Sequence, residues 1–253
     1  KLNPNAKFEK KYSTKALMKN TFINRGFKFA FASIIAAMFC AITLIPVFMI
    51  LKNSSATSGP FPDTFTSYLD ILDFITSHFA ILETTIRCCG DNVLPNVYTG
   101  ILTLILLPLF LLNNKISLKE KATYVLLMVF FIFSFNNNCA NYIWHAFHFP
   151  NDLPYRFSYM YSFIVAVMGY KTLINFKAIN IKDIVYSGLG VIAIVILAQK
   201  FLTNKMTNGT IYATIILVAL WCGYLLIVKN KNIQKRLTAF VLIVFLVGET
   251  VIS

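Results

Sequence analysis

Long apolar runs separated by short polar connectors set the pattern of the chain. The runs cover residues 27–51, 93–112, 121–135, 157–176, 184–202, 210–228 and 237–253. About 20 residues of helix cross the roughly 30 Å of a bilayer's hydrocarbon, and a helix satisfies its own backbone groups there. The pattern predicts an all-α integral membrane protein with about seven transmembrane helices, the last truncated where the sequence stops. The third run is short and passes straight into a polar stretch, so an irregular outer end is expected. Pro46 and Pro108 fall inside runs, where each can kink a helix if a neighbour satisfies the freed carbonyl. The sequence starts at Lys1 and stops inside an apolar run, which reads as an internal piece of a longer polypeptide.

The longest connector, 52–96, has a pattern of its own. Phe65, Tyr68, Leu69, Leu72, Ile75, Phe79 and Leu82 recur at helical spacing, with Ser67, Asp70, Asp73 and Ser77 on the opposite side. Pro62 and Asp63 suit the start of such a helix. The expectation is an amphipathic helix lying on the membrane surface, or the same helix packed on the spans as scaffold.

Composition agrees with the class. Of 253 residues, 57% are hydrophobic and 13% charged, where soluble domains carry about 25% charged. The net charge of +13 would suggest nucleic acid in a soluble protein. Here the basic residues sit in short connectors, so nucleic acid is set aside as a partner. With seven spans the connectors alternate sides. The set 1–28, 113–121, 171–183 and 229–236 holds 18 of the 23 basic residues; the other set holds Lys52, Arg87, Arg156, Lys200 and Lys205 with six of the ten acids. This asymmetry assigns the first set to the cytoplasm. Residues 1–26 then form a cytoplasmic basic juxtamembrane segment near anionic headgroups. Residues 27–253 form a transmembrane region with outer loops 52–96 and 136–156.

Two outer stretches concentrate polar groups. "ETTIRCCGDNVLPNVYTG" (83–100) carries Arg87, Asp91, Asn92 and Asn96. "YIWHAFHFPNDLPYRFS" (142–158) carries Trp144, His145, His148, Asn151, Asp152, Tyr155 and Arg156, extended upstream by Asn136, Asn137, Asn138 and Asn141. Ionisable groups near the membrane are expensive, which makes function the default reading. Two polar re-entrant elements facing one outer cavity are expected. The forked guanidinium matches phosphate oxygens, so Arg87 and Arg156 suit a lipid phosphate. Trp144 and Tyr155 suit stacking on a sugar ring, or the aromatic belt of any membrane protein. Asn151 and Asp152 suit sugar hydroxyls, or a turn before Pro154. His145 and His148, three apart, suit acid–base work, a phosphate contact, or a divalent metal with Asp152 as third ligand. No second ligand cluster accompanies them, so no metal or other cofactor is assigned. The five cysteines show no zinc spacing, and a bridge from Cys88 or Cys89 to Cys139 is one open pairing. Gly188, Gly190 and Ala193 mimic a dinucleotide fingerprint inside a span, where small-residue helix packing explains them. Glu249 lies in the final apolar run, and its partners are expected beyond the sequence.

"NYIWHAFHFPNDLPYRFSYMYSF" (141–163) closely resembles the signature of the bacterial YfhO-like membrane proteins, and "TTIRCCGDNVLPNVYTGILTLILLPLF" (84–110) is similar to the outer segment that precedes it there. The resemblance implies a fragment of a larger GT-C-like fold. It further implies a glycosyltransferase of the bacterial plasma membrane that moves a sugar from an undecaprenyl-phosphate donor to an anionic, teichoic-acid-type envelope polymer on the outer face. The base in such enzymes is an acidic residue in the first outer loop, which the resemblance places upstream of Lys1; no catalytic residue is assigned here. A transporter or flippase of lipid-linked envelope precursors, or a non-catalytic membrane scaffold, would use the same polar groups.

Overall fold

The computed structural model describes residues 5–53, 60–82, 93–149, 154–201, 206–229 and 235–252. The chain divides into two compact units, Lys1–Ser58 and Gly59–Ser253.

The first unit is one helix, α1 (Asn5–Lys52). It runs without a break through residues 26 and 27, so the basic segment and the apolar run share one helical axis. Pro46 lies inside it. From Thr21 onward nearly every side chain is exposed, including Phe27, Phe31, Phe39 and Phe48. A helix that is apolar all round and uncovered has lipid as its natural solvent.

The second unit is built around α3 (Ile101–Leu112). It packs against α6 (Ser158–Ile174), α7 (Ile181–Phe201) and α8 (Asn208–Lys229). Its sequence, ILTLILLPLFLL, is apolar on every face, and Ile101, Ile105, Leu106, Leu109 and Phe110 are sealed in the core. Pro108 removes one amide donor within it. Ser187 of α7 donates to Ile105 O at 2.6 Å and Thr172 of α6 to Leu106 O at 3.4 Å, tying both neighbouring helices to the turn next to Leu104, whose carbonyl Pro108 leaves without its usual donor. Gly188 lets α7 and α8 close up: a Cβ there would stand 2.4 Å from Cys222 Sγ, whereas Gly190 faces open space. Small-residue packing is thus carried by Gly188 alone of that pair.

Among the described residues, three helices are long and apolar enough to cross a membrane: Thr21–Ile50 within α1, α7 and α8. The remaining expected spans are also helical but shorter or more polar: α3, α4 (Leu118–Asn136), α6 and α9 (Lys235–Ile252). The run 93–112 departs most from expectation. Its first part, 93–100, is not helical and is partly buried, with Val97 fully covered. Pro95 disfavours helix at the residue before it, and Gly100 turns the chain at φ 89° before α3 begins.

The surface helix expected over 65–82 contracts to α2 (Ile71–Thr76), six residues capped by Asp70. Both of its faces are covered: Asp73 and Ser77, expected to face water, are buried along with Phe74 and Phe79. The segment before it, 64–69, is drawn off into an extended pairing described below.

Within the second unit, hydrogen bonds join the helix ends in two groups. At one end, Asn113 donates to Asn175 O (3.2 Å), Lys171 pairs with Glu120 (2.5 Å), and Lys229 donates to Phe176 O and Lys177 O (3.2 and 2.9 Å). At the other, Thr214 accepts from Ala80 N (3.1 Å) and Thr210 donates to Ile81 O (3.1 Å). Residues 64–69 meet 136–138 at that second end.

Candidate functional site

The second end begins where α4 stops. Asn137 leaves the helix with φ −113° and ψ 127°, and α5 (Asn138–Trp144) starts at once, capped by the Asn137 side chain accepting from Ala140 N at 3.0 Å. This is the irregular end anticipated for the third run.

The asparagines there form a clasp. Asn136 Oδ1 accepts from Ser67 Oγ (2.8 Å) and Leu69 N (2.6 Å). Asn138 accepts from Thr66 N (3.0 Å) through Oδ1 and donates to Thr64 O (2.8 Å) through Nδ2. Backbone bonds between Tyr68 N and Asn136 O and between Asn138 N and Thr66 O complete a short antiparallel bridge. The row expected to face a cavity therefore holds 64–69 in place, because a carboxamide can mimic both partners of a β ladder. Tyr68, beside Asn141, has its hydroxyl pKa raised by burial, partly offset by its bond to Asn141.

Trp144 and Tyr155 of the motif pack on neighbouring rings. Trp144 lies flat on Phe157 (4.7 Å, 11°) and on Phe131 (5.8 Å, 29°). Tyr155 is buried edge-on to Phe135, and burial pushes its hydroxyl well above the usual range. His145 is buried, with Nδ1 2.8 Å from Asn141 O, and its ring centre lies 6.4 Å from that of half-buried His148. Among the described residues no cluster of three His, Cys, Asp or Glu could hold a metal. Cys139 is a free, buried thiol.

Arg156 is exposed, between buried Tyr155 and buried Phe157. Two anchored neighbours fix the backbone from which the guanidinium projects. Arg87, Asn151 and Asp152 lie outside the described residues, as do Cys88, Cys89, Asp91 and Asn92, so the meeting of the two arginines is not among the described geometry.

Two buried ionisable groups carry more structure than their sequence positions suggest. Glu249 of α9 is 4% exposed. Its Oε1 accepts from Tyr98 OH and from Ile101 N, each at 2.5 Å, and Oε2 accepts from Trp221 Nε1 at 2.7 Å. Its partners are inside the chain after all. The signal was present: a lone carboxylate in an apolar run needs donors close by. His78 is also buried. Nδ1 lies 3.2 Å from Phe74 O, which can only accept, so Nδ1 carries the proton and Nε2 accepts from Tyr161 OH at 3.1 Å. Burial lowers its pKa to about 4, leaving it neutral at pH 7. Its spacing of four from Phe74 was the clue that it shares the covered face.

An all-helical bundle with an apolar exterior and membrane-length helices is a membrane protein of several spans. The chain matches the family described as "Bacterial membrane protein YfhO" over residues 12–253, and it belongs to that family. None of the curated proteins and none of the solved structures compared with it matches.

Proposed function

We propose that this chain is the donor-holding part of a membrane glycosyltransferase that moves a sugar from undecaprenyl phosphate to a teichoic-acid-type polymer outside the plasma membrane. The family match over residues 12–253 supports the class. The excess of basic residues in the connectors of the opposite end supports an outward-facing site.

One observation carries the reading: Arg156 is an exposed guanidinium on a backbone held from both sides by buried aromatics. Such a group can grip a phosphate while the lipid tail stays in the membrane, and a cation at a departing phosphate is what sugar transfer needs. Arg87 is its proposed partner. Trp144 and Tyr155 serve by fixing the Arg156 loop. Purified full-length protein given a labelled undecaprenyl-phosphate sugar transfers the label to polymer on this reading. Arg156→Ala abolishes transfer while the thermal unfolding midpoint is kept. Transfer unchanged in Arg156→Ala refutes it.

A second reading, transport of the lipid-linked precursor, draws on Glu249. A buried carboxylate at the start of a short helix that follows a non-helical segment resembles the broken helices of transporters. Movement of labelled lipid across the bilayer without transfer to polymer selects that reading.

A further inference from the structure

A groove of about 370 Å³ runs along the last turns of α4, beside the extended segment 64–69. Its apolar bank is made by Val129 and Phe133, with Phe65 opposite, and all three are exposed. Its far end is polar, formed by Thr66, Asn136 and Asn137.

The apolar bank continues a stripe. Leu126, Val129, Phe130 and Phe133 recur at helical spacing along α4 and all are exposed, as suits a face turned to lipid chains. The stripe ends at Asn136 and Asn137, where the helix itself ends. The groove therefore runs from the apolar stripe to the polar end of the helix.

The two carboxamides are half spent. Asn136 Oδ1 accepts from Ser67 and Leu69, and Asn137 Oδ1 accepts from Ala140 N. Among the described residues, no acceptor is bonded to the Nδ2 of either. Both side chains are locked by their oxygens, so donors are left beside an apolar wall. No charged residue lines the groove. A ligand that fits offers acceptor oxygens, an apolar chain, and no need of a countercharge.

We propose that this groove holds one diacyl lipid of the surrounding membrane. An acyl chain lies against Val129 and Phe133, and the ester oxygens accept from the Nδ2 groups of Asn136 and Asn137. Esters are common to all diacyl lipids, so the headgroup charge contributes little. This site is separate from the Arg156 site and does not rest on the enzymatic reading.

Native mass spectrometry of the delipidated full chain, titrated with dioleoyl phosphatidylcholine or phosphatidylglycerol, tests it. The expected result is a single retained adduct, with the two lipids binding within about threefold of each other. Asn136→Asp with Asn137→Asp keeps both internal oxygen acceptors and removes both outward donors, so phosphatidylcholine binding weakens about tenfold or more. Val129→Trp fills the groove and displaces the adduct with the clasp untouched. Equal retention by the wild type and by Val129→Trp overturns the proposal. So does a wild type that binds phosphatidylglycerol far more tightly than phosphatidylcholine, since that would place the lipid on the basic residues instead.

Discussion

Glu249 caps the helix that Ile101 begins: its Oε1 accepts the Ile101 amide at 2.5 Å across 148 residues of chain. Gly100, the residue in the capping position, has no side chain to do this. A carboxylate at a helix N-terminus is favoured by the aligned peptide dipoles. It also ties the non-helical segment before α3 through Tyr98 and α8 through Trp221. The last helix thus sets where the central one starts.

Glu249→Gln tests this cap. Gln keeps one carbonyl oxygen for Tyr98 and Ile101 but turns an NH₂ toward the Trp221 N–H, donor against donor. Loss of a charged hydrogen bond with an unsatisfied group left buried costs about 2–3 kcal/mol. Trp221→Phe removes the conflicting donor, so the double variant should lose clearly less than the sum of the two single losses. Unfolding of the detergent-solubilised protein measures the cycle. Strict additivity would show that the Glu249–Trp221 bond does not stabilise the fold.

Gly188 and Gly190 make a contrasting pair. At Gly188 an added methyl meets Cys222 Sγ, and overpacking of this kind costs about 1–3 kcal/mol. At Gly190 it meets nothing, and better helix propensity gains up to about 1 kcal/mol. Gly188→Ala should therefore lower the melting temperature and Gly190→Ala leave it unchanged or raise it. Adding Cys222→Ala should restore most of the loss at Gly188, because the clash is with that sulfur.

The sequence made the class readable. All seven apolar runs contain helix, and three of the described helices are long and apolar enough to cross a membrane, because apolar length reports directly on a bilayer. The broken run 93–112 was not readable as broken: Pro95 and Gly100 are ordinary in spans, and the donors that stabilise the break come from residues far along the chain. The site was read less well. Asn136 and Asn138 look the same in sequence whether they face water or a β ladder, and Trp144 looks the same whether it stacks on a sugar or on Phe157. Partner identity decided each case, and the partners of the two asparagines, 67 to 74 residues away, leave no local trace.

Ala146 offers a stabilising change. The turn after α5 is a Schellman motif: Phe147 N donates to Tyr142 O at 3.0 Å and Ala146 N to Ile143 O at 3.1 Å, with the Phe147 and Tyr142 rings in contact. Ala146 holds φ 56° at the position where glycine is usual. The left-handed conformation costs a residue with a Cβ about 1 kcal/mol. Ala146→Gly should recover about that much and raise the melting temperature, with Arg156-dependent activity unchanged. A fall in stability would mean that the methyl packs against something that outweighs the strain.

His78 gives the protein an acid limit. Its ring has a pKa of about 4 in the fold against 6.5 in an unfolded chain, with burial the cause. The unfolded state therefore binds the extra proton first as pH falls. The stability that neutral His78 contributes is complete above about pH 6.5. It declines between 6.5 and 4 and is gone below 4, where the buried ring is protonated as well. Protonation would put a hydrogen on Nε2 and force Tyr161 OH to turn from donor to acceptor. The full shift corresponds to about 3 kcal/mol. His78→Gln keeps a donor and an acceptor without titrating. Its unfolding free energy should fall less steeply than the wild type's between pH 6.5 and 4.5, while the two run parallel above pH 7. Parallel curves across the whole range would show that His78 is already protonated, or already solvated, in the folded protein.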